Sequence, residues 1–337
     1  MPHDRSALLD DLLERTSRTF AVGIRRLPGT LRSEITVAYL LLRVSDYFED
    51  NRVMSEEAKI RALGAWAEAV RGAEDFDLTR HVGEARDAQT PDTHAALAAR
   101  EIADALSGLD EPARSILRRH VADSTLGMAR WVRRGPDFAT VADLDDYMFE
   151  VAGRVGLLLT ELFAAHSHSI ATREEELSRR GVEFGLALQT VNVIRGLNED
   201  PDRGWIFVPR ELLPPGRSPS TLWDDRAPDV HQLRAEVLAA LVDKAERHLE
   251  EGLAYTLAIP RRMLGVRVFC LLPLFFAART LALSRENPLV FSEEVKLTRS
   301  EVRSIVRRTQ VGALSDAWCR RTFRTLLGSP HPDTLRP

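Results

Sequence analysis

The chain has 337 residues, 44% hydrophobic and 28% charged, a balance that excludes an intrinsically disordered protein. Its 46 basic and 50 acidic residues leave a net charge of −4, which argues against a nucleic-acid binder held by a basic surface. Two cysteines, Cys270 and Cys319, cannot build a disulfide scaffold, and they point to a reducing, cytoplasmic setting.

Helical periodicity predicts helices over 6–13, 34–50, 58–70, 95–106, 111–132, 144–165, 174–197, 233–257, 264–283 and 299–327. Few stretches alternate with period two, so a sheet-based fold is disfavoured. Proline and glycine place loops at 88–93 and 201–228. The second carries Pro209, Pro214, Pro215 and Pro219 and is long enough to be a functional lid. The tail 329–337 is expected to fray. No repeat and no linker is visible, so the reading is one all-α domain over 1–337. The N-terminal stretch shows no targeting segment. The longest apolar run, 268–278, is closed by Arg267 and Arg279. It is about half of the ~20 residues that a membrane span needs. It reads as a buried core helix, with a peripheral membrane contact as the other option. From Arg261 onward 14 basic residues face 6 acidic ones. That surplus can meet phosphates or anionic lipid, or simply neutralise the acidic remainder.

Two constellations carry chemistry. In the predicted helix 34–50, Asp46, Glu49 and Asp50 are three and four residues apart and share a face. Such carboxylates repel unless something compensates. Mg²⁺ is one candidate, since it takes one or two carboxylates and completes its shell with phosphates and water; a solvated acidic helix end is the other. Arg43, one turn earlier, is an ion-pair partner or a phosphate ligand. In 185–200 the polar residues Gln189, Asn192, Gly196, Glu199 and Asp200 form a stripe on an otherwise apolar helix, the pattern of a wet or metal-filled interior. Arg195 and Arg203 lie beside it and suit phosphate oxygens.

These residues resemble the squalene/phytoene synthase family, and the motifs recur in order. Ser17-Arg18-Thr19-Phe20 resembles the N-terminal S-R-[ST]-F signature. The stretch from Tyr39 through Arg43 and Asp46 to Glu49-Asp50 resembles the first aspartate-rich motif. Tyr147 to Gly156 is similar to the Y-x-x-x-V-A-G-x-V-G segment, and Gln189 to Asp200 to the second acidic motif. Phe269 to Pro273 and Val295-Lys296-Leu297 are similar to squalene-branch stretches. The resemblance spans about residues 8–325.

The resemblance implies an isoprenoid-synthase-type helical bundle around a central cavity. It implies a transferase that condenses two allylic diphosphates, usually farnesyl diphosphate, head-to-head through presqualene diphosphate with Mg²⁺. NADPH is the implied hydride donor for squalene, although no glycine-rich dinucleotide turn is present. By position, Asp46, Glu49 and Asp50 would ligate one metal group and Asn192, Glu199 and Asp200 the other. Ser17, Arg18, Arg43, Arg195 and Arg203 would hold phosphates, with Tyr39 and Gln189 in the substrate site. Tyr147 would accept or relay the proton lost on ring closure. Phe20, Val151, Val155, Leu159 and Phe269 would line the prenyl tunnel, where apolar walls keep water from a carbocation.

Two departures stand out. Gly196 replaces the aspartate that opens the second acidic motif. Water fills the gap, or the product changes to presqualene diphosphate or a one-substrate ionisation product, or the chain is a non-catalytic relative. Glu150 stands where an aromatic or apolar residue is usual, and it is a costly buried carboxylate, a new base or an outward-facing residue. His166 and His168 do not share a helix face and suggest no zinc site. Trp205 and Phe207, in the long loop, either help to close the site or anchor the loop.

Overall fold

The computed structural model describes residues 2–73, 78, 81–82 and 91–328; the side chains of 2–5, 18, 19, 91 and 203 lie outside that description. The expected fraying tail and positions 88–90 of the first loop also lie outside it. About 78% of the chain is helical, and the described residues contain no strand. The helices are α1 (Pro2–Thr16), α2 (Arg18–Ile24), α3 (Gly29–Asp50), α4 (Glu56–Arg71), α5 (Pro91–Leu97), α6 (Ala99–Ser107), α7 (Ala113–Arg134) and α8 (Val141–Met148). A π-helical turn, Phe149–Gly153, leads into α9 (Arg154–Ala165). Then follow α10 (His168–Ala171), α11 (Glu174–Gly196), α12 (Asp200–Arg203), α13 (Val230–Ala258), α14 (Leu264–Ser284), α15 (Arg299–Gly312) and α16 (Asp316–Gly328).

The residues pack as two compact units. In the first, residues 1–135 and 157–174, α3 is the hub, packed by α1, α4, α5, α6 and α7. Its Leu40, Leu41, Val44 and Phe48 are sealed from water; each such side chain contributes roughly 1.5–3 kcal/mol. Two polar pairings lie within this core. Trp66 donates its indole N–H to the Leu41 carbonyl at 3.2 Å, and the Ser45 and Thr125 hydroxyls bond at 2.7 Å.

The second unit, residues 136–156 and 175–337, is built on α14, which packs against α13, α15 and α16. Among the described residues α14 is the one helix long and apolar enough to cross a membrane, yet it is mostly buried, as expected of a core helix. The arginines that close its apolar run are not surface charges. Arg267 and Arg279 are buried. Arg267 donates to the carbonyls of Ile259 and Ala313, both at 2.9 Å, and to Asp316 at 2.6 Å. Arg279 donates to Glu301 at 2.9 Å. A buried guanidinium is tolerable where carboxylate or carbonyl oxygens meet it; stripping one partner from such a pair costs about 3–5 kcal/mol.

Helix boundaries differ from the sequence expectation where small residues act locally. The single helix expected over 299–327 breaks after Gly312. A Cβ there would sit 2.1 Å from the Trp318 ring, so the indole packs on bare backbone, and Ser315 accepts from the Trp318 N–H at 3.2 Å. The 95–106 segment divides at Ala98. The seven-residue α2, capped by Ser17 accepting from the Phe20 N–H at 3.1 Å, is too short to show periodicity.

Backbone meets backbone where the π turn and the start of α9 cross α11. A Cβ on Gly156 would lie 1.9 Å from the Gly181 carbonyl oxygen, and one on Gly185 would lie 2.3 Å from that of Ala152. Only residues without a Cβ permit this contact. Gly185→Ala should therefore cost about 1–3 kcal/mol or more in urea unfolding, as overpacking does. Gly64→Ala, in α4 with nothing within 4 Å of its added Cβ, should instead stabilise by up to about 1 kcal/mol. Equal effects of the two would show that the crossing is not tight.

Candidate active site

The site residues fall into two sets, one in each unit. In the first, α3 remains helical through Asp50, so Asp46, Glu49 and Asp50 do crowd its final turns. Glu49 is buried and Asp50 exposed, with Asp46 between them. Arg43 is the local counter-charge. Its Nη1 donates to Asp46 at 3.0 Å, and its Nη2 and Nε donate to Asp92 of α5 at 2.7 and 3.1 Å. The guanidinium also lies over the Tyr39 ring, 6.0 Å from its centroid.

Desolvation pushes the Asp46 carboxyl from 3.8 up to about 6; Arg43 opposes the rise, while Asp50 and Asp92 add to it. Burial, more than its acidic neighbours, thus keeps Asp46 hard to ionise even with Arg43 in place. Lys59 of α4 adds a second cation. It donates to the Glu49 carbonyl at 2.7 Å, where the helix dipole favours positive charge. Burial lowers its pKa, against the pull of Asp50 and Glu49.

Tyr39 joins this set to the N-terminal motif. Burial raises its phenol pKa, opposed by Arg43 and by hydrogen bonds with Thr16 and Ser17. Its ring meets Phe20 at 5.9 Å between centroids. Phe20 is 38% exposed within its unit, more open than a core aromatic. The Arg18 side chain lies outside the described residues. Leu159, also in this unit, is half-buried.

In the second unit the polar stripe is not one continuous helix. α11 ends at Gly196, a turn follows, and α12 opens at Asp200 with Pro201 in its first turn. Glycine weakens the end of α11, and Pro201 suits the first turn of the helix that follows. Gly196 and Asp200 nevertheless stay adjacent: a Cβ on Gly196 would lie 3.9 Å from Asp200 Oδ1, with nothing nearer. Asp200 is buried, and its Oδ2 accepts from the Phe207 N–H at 3.1 Å. Glu199 is half-buried, while Asn192 and Arg195 are exposed. Asn192 donates to Gln189 Oε1 at 3.4 Å. The Arg203 side chain lies outside the described residues.

Tyr147 is buried in an aromatic cluster. Its ring centroid lies 5.2 Å from Phe207, 5.8 Å from Phe138 and 6.0 Å from Trp205. The long loop is therefore anchored on Tyr147 by its two aromatics. Backbone bonds from Arg210 to Phe138 at 2.9 Å and from Glu211 to Ala139 at 3.1 Å fix it further. Glu150 is buried but paired on its own helical stretch with Arg154, so it is no free base. Val151 and Val155 are half-buried and Phe269 is buried. Among the described residues no three His, Cys, Asp or Glu side chains converge on a metal-sized point. The donors do suit a hard cation: carboxylate and amide oxygens, with an arginine already offsetting one carboxylate. Asp92 and Lys59 escaped the sequence reading, because partners 49 and 10 residues away along the chain leave no local pattern.

A family model for squalene/phytoene synthase matches residues 13–301. The chain belongs to the squalene/phytoene synthase family. Squalene synthase 1 of Arabidopsis thaliana is 30% identical over 316 residues, covering 91% of this chain and 73% of the relative. Squalene synthase of Schizosaccharomyces pombe is 28% identical over 326 residues, 92% of this chain and 66% of the relative. This family member thus spans about two thirds to three quarters of those curated proteins. In fold it is similar to TcSQS in complex with the ligand BPH1237 (TM-score 0.75, 23% identity, 96% of this chain and 98% of the other). It is also similar to squalene synthase HpnC from Alicyclobacillus acidocaldarius (TM-score 0.59, 22% identity, 84% and 94%). The all-α isoprenoid-synthase fold expected from the motifs is the fold observed.

The crowding at Asp46 has a pH signature. Its folded pKa lies above its unfolded value, so its contribution to stability is present below about pH 4 and is lost as pH rises to about 6. Without divalent cation, Asp46→Asn should gain on the wild type in melting temperature between those pH values and hold that gain above pH 6. A constant difference across the range would show that Asp46 is not strained.

Proposed function

We propose that this family member is a transferase that condenses two farnesyl diphosphates head-to-head through presqualene diphosphate. The observation that carries the reading is the acidic end of α3, where Asp46, Glu49 and Asp50 share the final turns and Arg43 is divided between Asp46 and Asp92. Carboxylates gathered beside an arginine suit a metal–diphosphate complex. Mg²⁺, when bound, would supply Lewis-acid neutralisation of the leaving diphosphate. Asp46, Glu49 and Asp50 would hold it for one substrate; Asn192, Glu199 and Asp200 would hold it for the other.

The chain's own groups supply the rest. Arg43 is poised between Asp46 and Asp92, and its planar fork can exchange a carboxylate for a phosphate. Ser17, Arg18, Arg195 and Arg203 add phosphate donors. Ionisation of the first substrate releases diphosphate and leaves an allylic cation. Attack by the second substrate's double bond and loss of one proton close the cyclopropane, with Tyr147 as the proton acceptor or relay. The ring cluster of Phe138, Trp205 and Phe207 keeps water from that phenol. A second ionisation, rearrangement and hydride from NADPH would give squalene.

The open space at Gly196 favours a second reading, in which one metal group is held by fewer carboxylates and turnover stops at presqualene diphosphate. Purified protein with farnesyl diphosphate and Mg²⁺, with and without NADPH, separates the two. Squalene that appears only with NADPH supports the full reaction; presqualene alcohol after phosphatase treatment, under both conditions, supports the half-reaction. Asp46→Ala and Asp50→Ala should each lower turnover at least about a hundredfold, the scale seen when charge-stabilising groups are removed, with helix content unchanged. Full activity in both would sink the metal assignment. A Cβ at residue 196 meets only Asp200 Oδ1, at 3.9 Å, so Gly196→Asp should keep or raise activity; a change of product would make residue 196 a specificity determinant.

A further inference from the structure

We propose that the outer face of α15, together with the α15–α16 turn, is a docking surface for an anionic lipid bilayer. Arg299, Arg303, Arg307 and Val311 recur at every fourth residue. Each is turned about 40° from the one before, so the four share roughly a third of the helix circumference. All four are exposed, and the buried stripe of Glu301, Ile305 and Thr309 lies opposite. α16 repeats the pattern, with Arg320, Arg321 and Arg324 exposed and Cys319, Phe323 and Leu326 buried.

Residues 299–328 contain seven arginines and two acids. Both acids are spent on other arginines. Glu301 is paired with buried Arg279, and Asp316 with Arg267 and Arg261, each at 2.6 Å. The charge left facing outward from this segment is cationic only.

The turn adds an apolar tip. Val311 is 83% exposed, the most exposed large hydrophobic side chain among the described residues, and Leu314 is 51% exposed. Neither can fold inward, because the inward places are taken. Trp318 packs on Gly312, and Ala313 is fully buried with its carbonyl held by Arg267. A rigid aliphatic tip flanked by arginines is the chemistry of interfacial binding, where buried apolar area adds to attraction for anionic headgroups. Single-stranded nucleic acid would call for exposed rings to stack on. The one aromatic beside this turn, Trp318, is instead set edge-on against Phe275 at 5.9 Å. The surface stands independently of the catalytic reading.

Sedimentation with vesicles tests it. The full chain should pellet with vesicles of phosphatidylglycerol and phosphatidylcholine in equal parts, far less with phosphatidylcholine alone, and should be released by high salt. Each arginine near such a surface is worth about fivefold in partitioning, so Arg303→Glu/Arg307→Glu should weaken binding at least about 25-fold. Val311→Ser/Leu314→Ser should weaken binding to the same vesicles while leaving its salt dependence in place. All these positions are exposed, so melting curves should match the wild type. Failure of the wild type to pellet, equal binding by the variants, or equal binding to neutral vesicles would overturn the proposal. So would finding that the same substitutions abolish a concentration-dependent dimer or oligonucleotide binding while vesicle binding persists.

Discussion

Tyr147 and the polar residues of α11 flank one close contact, the crossing of the Phe149–Gly156 stretch over α11 at Gly156 and Gly185. Backbones that approach this closely cannot rotate or slide without collision. The contact therefore fixes which way the π turn faces. Tyr147 sits just before that turn, and Gln189 and Asn192 lie one to two turns beyond Gly185 on the partner helix. A π turn inserts an extra residue into the helical repeat and re-aims what flanks it. The Val-Ala-Gly motif is thus a geometric device before it is a chemical one: its glycines set the distance, and its neighbours inherit their directions.

A second constraint runs through both units, the pairing of acids with arginines chosen by burial. Where a carboxylate is buried for structural reasons, a single arginine matches it, as Arg279 matches Glu301 and Arg154 matches Glu150. At the end of α3 one arginine serves two acids: Arg43 is shared between Asp46 and Asp92, and burial keeps Asp46 hard to ionise. In the C-terminal segment the balance tips in the other direction, with arginines left facing water. The imbalances coincide with the surfaces proposed for metal–diphosphate and lipid, and the balanced pairs with scaffold, a distinction that net charge alone conceals.

The all-α class and most helices were legible because a 3.6-residue periodicity survives in single-sequence patterns. The acidic α3 set was legible for the same reason, since Asp46, Glu49 and Asp50 are neighbours on one regular helix. Legibility ended where the backbone departed from that period. The Asn192, Gly196, Asp200 spacing suggested one helical face, but the chain leaves the helix after Gly196, and Asp200 is placed by its bond to the Phe207 N–H. The break at Gly312 was invisible because its cause, the packing of Trp318 on bare backbone, is a tertiary event. Asp92 and Lys59 could not be found at all, since an ion pair across 49 residues and a bond to a backbone carbonyl ten residues away carry no local signature. Loop aromatics Trp205 and Phe207 were noticed, but only the structure joins them to Tyr147.

Arg43 has a consequence for how the chain reaches its native state. A cluster of like charges that waited for an external cation would tie folding to the supply of that ion. Here a guanidinium from the same helix, one turn away, already joins Asp46 to Asp92 of α5. The chain carries its own provisional counter-ion. Its first unit should then fold in a metal-poor compartment or in the presence of a chelator, and a cation, if bound, would arrive as an exchange of partners on a finished scaffold.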